Sequence, residues 1–397
     1  MNPMNHLKQS PWHTGLMVLC ALAVVAQLYL PIPILKQLAD EFGLSSANAG
    51  YALTAFSLPY ALGFLVFGPL SDRVGRRTVM AWGLVTLTAS SLLLQLASTP
   101  ETFLGLRALQ GFAAAAYPPV AIAYLAERGT PRQRTWGIAW ISTAFLMAGL
   151  LGQIYGASFG KLMHFGTALL PLCAIYLGTA AMLWRTTETQ AAPATQLVGW
   201  SSVGQALKQV VSDTQLRRAY VPALVLLMCF VAFYIGLDAR MGLALQQSGF
   251  NQLNLREIAL PGFLAPLAVA VLLPRFGPQR IASAGLGIAT AGLLCAAVVT
   301  EPMSVLLASV LFVAGIGITV PGLIARVAST AASHYRGMAI AFYTFTLFVG
   351  ASLGPWVAAH TANLDSGQFF GLLAIVMAVA TAISWGRPTS VLPRSSS

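Results

Sequence analysis

A chain of 397 residues with 57% hydrophobic and only 8% charged positions cannot present a water-facing surface, since soluble globular proteins carry roughly 25% charged residues. The net charge of +11 does not indicate nucleic acid as a partner, because the basic residues gather on alternate segments between apolar runs. Cys20, Cys173, Cys229 and Cys295 all lie inside such runs without metal-ligand spacing, so neither a metal centre nor a cofactor is expected.

Apolar runs of about 20 residues, enough for a helix to cross a hydrocarbon core of about 30 Å, recur from end to end. In the first half they cover 15–35, 47–70, 78–96, 103–126, 136–159 and 167–184; in the second, 219–237, 258–273, 281–299, 303–325, 338–359 and 369–385. The first run precedes eleven others and no small-residue cleavage site, so it reads as a retained anchor. The longest polar stretch, 185–218, predicts a flexible entry and then a short amphipathic helix capped by Ser201 or Ser202. The expected architecture is an all-α integral membrane protein. Its twelve transmembrane helices form two pseudo-symmetric six-helix bundles, residues 1–184 and 219–397, joined by a cytoplasmic linker at 185–218 and followed by a short cytoplasmic tail.

Placing the N-terminus inside puts seventeen of the 22 Lys and Arg residues on the inner side. Lys36, Lys161, Arg240 and Arg256 fall outside, and Arg107 lies within a span. That bias follows the positive-inside rule and sets both termini in the cytoplasm of a multi-pass protein of the inner (plasma) membrane. A weak self-match at an offset of 202 supports duplication: Arg73 and Gly75 map to Arg275 and Gly277, Arg134 to Arg336, Gly152 to Gly354.

The segment GPLSDRVGRR (68–77) concentrates four charges between the second and third runs. Gly75 lets a short turn reverse the chain, and Gly68 is small enough for two helix backbones to approach closely. Asp72 at the membrane boundary suits the positive end of another helix, with the eleventh span, starting near Arg336, as the candidate. Glu127 at the inner end of span four suits Arg73 or Arg76; alternatively Arg73, Arg76 and Arg77 only set topology. Gly68, Asp72, Arg73, Gly75, Arg76 and Arg77 resemble, position by position, the signature of the major facilitator superfamily. RALQG (107–111) and LYLPIP (28–33) resemble motifs of its twelve-span drug:proton antiporter branch. The resemblance implies alternating access, with the charged motif as a latch between halves, proton coupling through Arg107, a small-molecule substrate, protons and lipid as partners, and a monomer.

Arg107 lies about six residues from the outer end of its span and either snorkels outward or faces a cavity. Asp238 and Glu257, each near an arginine, are the acids available to exchange a proton or to form interfacial ion pairs. Gln27 stands where several drug antiporters carry a carboxylate, and Gly152-Gln153 replaces the Gly-Pro of their fifth span, which recurs at Gly354-Pro355. Gln27, Tyr29, Tyr60, Gln110, Tyr117, Gln153, Tyr155, Tyr234 and Tyr343 are the candidate cavity wall, suited to a hydrophobic or amphipathic molecule. Gly111, Gly149, Gly152, Gly156, Gly350, Gly354 and Pro355 are the candidate helix-packing positions. An exporter is the leading reading. An importer or uniporter on the same fold, with Arg107 binding a substrate anion, is the alternative. An integral-membrane enzyme fits less well, since the histidines lie at span ends or in loops. The motif predicts that Asp72→Asn abolishes transport while expression and insertion persist; wild-type transport by a well-inserted variant would refute the latch.

Overall fold

The computed structural model describes residues 11–45, 48–127, 131–160, 162–186, 200–249, 258, 261–262, 265–299, 301–332 and 335–385. Glu257, and the side chains of Asp72 and Glu127, lie outside the described residues. Every regular element described is helical. The chain forms α1 (Pro11–Tyr29), a 3-10 turn (Ile32–Ile34), α2 (Leu35–Phe42), α3 (Tyr51–Val74), α4 (Arg76–Leu93), α5 (Pro100–Ala114), α6 (Pro118–Glu127), α7 (Pro131–Phe159), α8 (Phe165–Ala168) and α9 (Leu170–Arg185). It continues as α10 (Trp200–Ser212), α11 (Thr214–Gln247), α12 (Ala265–Val298), α13 (Pro302–Thr330), α14 (Arg336–His360) and α15 (Ser366–Trp385). Helix is what hydrocarbon demands, because it bonds every backbone group within one segment. Among the described residues nine helical stretches are long and apolar enough to cross a membrane, and Thr143–Phe159 and Leu170–Arg185 are apolar but shorter.

The spans differ from the expected ones where proline and glycine act. The run 103–126 is not one helix: it breaks between α5 and α6, because Pro118 and Pro119 lack the N–H and crowd the preceding turn. The runs 258–273 and 281–299 join in α12 about a single non-helical residue, Gly277, at φ 77° and ψ 160°. The linker helix α10 starts at Trp200, which places Ser201 and Ser202 inside its first turn instead of at its cap. Asp213 then caps α11, accepting from the Gln215 and Leu216 amides at 2.8 and 3.2 Å.

Helices up to α9 pack among themselves, as do those from α11 onward; the main contacts between the two groups are α3 on α14 and the 3-10 turn on α11. The 202-residue offset extends to backbone geometry. Gly75, at φ 100° and ψ 132°, and Gly277 both adopt a positive φ that only glycine takes without strain. These two glycines mark one end of the molecule, the motif end; the opposite one is the far end.

With lipid on one side and lipid-like side chains on the other, close backbone contact is what holds such helices together. Gly111 is the tightest case on α5, since an added Cβ would fall inside the van der Waals shell of the Phe56 carbonyl on α3. Gly152 and Gly156 press in the same way on the Ala26 and Leu30 carbonyls of the first span, and Gly350 and Gly354 on Leu224 and Val231 of α11. Gly149 is buried and its carbonyl accepts from Gln153 at 2.9 Å. Gly111→Ala should therefore lower stability in detergent by about 1–3 kcal/mol, the usual cost of overpacking. Gly105→Ala, whose added methyl meets nothing within 4 Å, should melt like the parent; equal melting of both variants would contradict the packing account.

Candidate functional site

Arg107 is fully buried on α5 and does not snorkel. Its Nη1 donates to Gln110 Oε1 at 2.9 Å, one turn deeper, while Nε and Nη2 each lie 3.3 Å from the carbonyls of Ala52 on α3 and Gln27 on α1. The Phe56 ring lies 4.5 Å from the guanidinium carbon and the Phe165 ring 5.4 Å. Burying a cation costs several kcal/mol unless its donors are met, and here three acceptors and two ring faces meet them. Among the described residues no carboxylate joins this set.

Ser91 on α4, which the sequence reading missed, is the hub beside it. Its hydroxyl accepts from Gln110 Nε2 at 2.8 Å and Gln27 Nε2 at 3.3 Å, and donates to the Leu87 carbonyl at 2.7 Å. A serine in an apolar helix gives no sequence signal of its own. Gln27 Oε1 and the Tyr60 hydroxyl are buried without a hydrogen-bond partner among the described residues, and buried polar groups without partners are uncommon.

The other expected cavity residues divide into two sets. Tyr117 donates to the Met17 carbonyl at 3.0 Å, Tyr155 to Ala168 at 2.7 Å and Tyr343 to Val320 at 3.4 Å, so each ties helices of one group together. Tyr29 and Tyr60 make ring contacts across the seam between groups, and Tyr234 packs beside the first of these. Tyr29 packs edge-on to Phe230 at 5.9 Å, Phe230 meets Tyr234 at 5.2 Å, and Tyr60 packs edge-on to Phe348 at 4.7 Å.

The described hydrogen bonds and ring contacts between α3 and α14 gather toward the far end. There Thr54 donates to the Ser352 carbonyl at 2.9 Å and the Ser57 and Ser352 hydroxyls lie 2.8 Å apart. Beyond them a Cβ on Gly50 would come within 2.6 Å of Pro355 Cβ. Phe64 stacks on Phe348 at 5.5 Å just inside. Toward the motif end the same two helices part: residues 65–70 of α3 are all half-buried, Arg336 and Gly337 are exposed, and no described atom lies within 4 Å of a Cβ placed on Gly68. The close helix approach expected at Gly68 is thus not made in this conformation.

Within the motif, Arg77 Nη1 donates to the Thr186 carbonyl at the end of α9, where a cation also meets the negative end of the helix dipole. Arg73 and Arg76 are half-buried and Glu127 ends α6. Asp238 is not at the end of its helix, since α11 continues to Gln247. Arg240, the arginine expected beside it, binds the Leu364 carbonyl at 3.2 Å and the Thr361 carbonyl at 2.5 Å and stacks 3.9 Å over Phe369. Arg326, expected in an inner loop, is buried inside α13 and holds the end of α15 through the Ser384 carbonyl at 3.0 Å and hydroxyl at 3.1 Å.

Residues 17–355 match the family model of the Major Facilitator Superfamily. The inner membrane transport protein YnfM of Escherichia coli is 30% identical over 164 residues, 41% of this chain and 39% of that protein. Multidrug resistance protein 1 of Bacillus subtilis is 23% identical over 90% of this chain and 92% of its own length. A chloramphenicol resistance protein of Pseudomonas aeruginosa is 26% identical over 68% and 64%. The crystal structure of the human organic anion transporter MFSD10 superposes with a TM-score of 0.69 at 18% identity, covering 95% of this chain and all of that one, which speaks to fold alone.

A cysteine pair replacing Ser57 and Ser352 should form an intramolecular disulfide under mild oxidation, detected by mass spectrometry of the digested protein. The antiparallel register that joins those serines places Gly68 opposite Ala341, and cysteines there should remain reduced. Equal cross-linking of both pairs would contradict closure at one end.

Proposed function

The chain belongs to the major facilitator superfamily, and we propose that it is a secondary transporter exporting small hydrophobic or amphipathic organic compounds in exchange for protons, by alternating access between two halves. In this reading it crosses the inner membrane twelve times as a monomer, with both termini and the linker at 185–218 in the cytoplasm. The observation that carries the proposal is the one-sided seam. Contacts from Gly50 to Phe64, at the start and middle of α3, meet Phe348 to Pro355 of α14, while a Cβ on Gly68, farther along α3, meets nothing within 4 Å. A carrier caught with one side shut has that shape, whereas a channel or an enzyme has no need of it.

The drug-resistance names among the relatives support the compound class. Gln27 and Tyr60, with their unpartnered polar atoms, and Tyr29 and Tyr234 along the seam would form the binding wall. Arg107 would act as a fixed positive field, because a guanidinium keeps its proton and can only bias a neighbouring acid or hold an anion. Asp238 and Glu257 are the proposed proton carriers, and the Asp72 motif the latch of the motif side.

The direct test is uptake of ethidium or chloramphenicol into inside-out vesicles with an imposed pH gradient. Accumulation that collapses with the gradient is expected, and so is its loss in the Asp238→Asn, Glu257→Gln pair. Net movement the opposite way would favour the importer. If Arg107 acts as a field, Arg107→Lys should keep much of the transport and Arg107→Ala lose it; failure of both, with weakened binding, would indicate a bidentate grip on substrate.

A further inference from the structure

The turn between α7 and α8 is tied to α2 at two points. Gln37 Nε2 donates to the Gly160 carbonyl. The Phe165 amide donates to Glu41, at 2.9 Å from Oε1 and 3.3 Å from Oε2, and His164 Nδ1 lies 2.9 Å from the same Oε1. The Glu41 side chain is 10% exposed and the imidazole 83% exposed, so a sheltered carboxylate meets the medium at the far end through a histidine. α2 is seated by its apolar face: Leu38, Ala39 and Phe42 are buried, and Phe42 stacks on Phe103 at 4.0 Å. Phe103 meets Phe165 edge-on at 6.0 Å, and the Phe165 ring is one of the two that cover Arg107.

We infer that Glu41 is a positioning residue for Arg107: its ionised carboxylate fixes the Phe165 backbone and hence the ring beside the guanidinium, and a proton arriving from the far side releases both. The inference rests on the transport reading above and adds to it a sensor at the outer face. An ionised carboxylate accepts a charge-assisted bond, about twice as strong as a neutral one, and attracts the histidine. Once protonated it keeps at most a neutral bond to Phe165, and the attraction is gone. The ring then no longer helps to offset the burial of Arg107, which becomes free to turn toward an anionic group. The step passes one proton from hydronium on the far side to Glu41: an O–H bond of hydronium breaks, one forms on the carboxyl, and water is left. The other charged groups on the packed elements, Lys36 and Asp40 on α2 and Glu101 on α5, are exposed and bonded to neither Glu41 nor His164; Arg107, buried on α5, lies across the Phe165 ring at 5.4 Å. Lys161 lies outside the described residues.

Hydrogen exchange of the full-length protein in detergent tests this, corrected for the intrinsic pH dependence of exchange. In the parent, acidification should speed exchange at Phe165 and in the segment bearing Arg107. In Glu41→Gln and Glu41→Ala both should already be about tenfold faster at neutral pH, the loss of a charge-assisted bond, and no longer respond to acid. His164→Ala should retain the neutral-pH protection of Phe165. Ethidium uptake into inside-out vesicles, with lumenal pH varied, should depend on pH in the parent and be flat in Glu41→Gln. Variants that exchange like the parent, or that exchange faster yet keep the parent's pH response at Arg107, overturn the inference and leave Glu41 a structural tie. If even the parent moves no ethidium, the transport reading suffers, and the exchange measurements still decide the role of Glu41.

Discussion

Two backbones can approach only as closely as the residue between them allows, and in a hydrocarbon solvent that limit governs the whole assembly. No hydrophobic force presses one apolar helix against another there, so van der Waals contact and rare polar bonds must do it. Gly111 against Phe56, Gly152 and Gly156 against the first span, and Gly350 and Gly354 against α11 are the points where the limit is lowest. The remaining side chains interlock around those contacts. Such contacts knit the helices up to α9, and those from α11 onward, among themselves; across the seam Gly50 makes one with Pro355 and Gly68 makes none.

The polar interior obeys the same economy of partners. Arg107, Gln110, Gln27 and Ser91 bond one another across α1, α4 and α5, with only Gln27 Oε1 left over among the described residues, and Arg326 and Arg77 fasten helix ends at the motif side through carbonyls. None of these arginines needs a carboxylate for its described bonds. A cation bonded only to neutral acceptors keeps its full charge available to a mobile anion or to an acid that changes protonation, which a permanent ion pair would cancel.

Much of this was legible in the letters. The apolar runs located most of the helices because a membrane imposes one length and one composition; Gly75 reads as a turn, and Gly277, its counterpart at the 202-residue offset, takes the same positive φ. Arg107 stood out because charge inside a span is rare. What stayed hidden depends on the third dimension. The break before Pro118 was overlooked in an apolar run that looked continuous, and Asp238 seemed terminal because Arg240 looked like a loop residue until it proved to bind the Leu364 and Thr361 carbonyls. Glu41 sits in a segment that reads as a connection, and only the fold brings it to residues 123 and 124 positions away. Gly68 illustrates a further limit, since a small residue can serve a conformation other than the one observed.

The far-end closure has layers of different chemistry. Outermost are glycine, proline and hydroxyls that bond one another, and directly beneath lie the rings of Tyr60, Phe64 and Phe348, in mutual contact at 4.7 to 5.5 Å. Water threading the outer layer would find several hydroxyls to hold it, but the ring layer offers a single one, that of Tyr60, among otherwise apolar faces, too few to carry a file of hydrogen-bonded molecules across. Protons hop along such files far faster than any carrier turns over. The aromatic layer is therefore electrical insulation as much as a mechanical stop: it lets the seam be thin without short-circuiting the membrane.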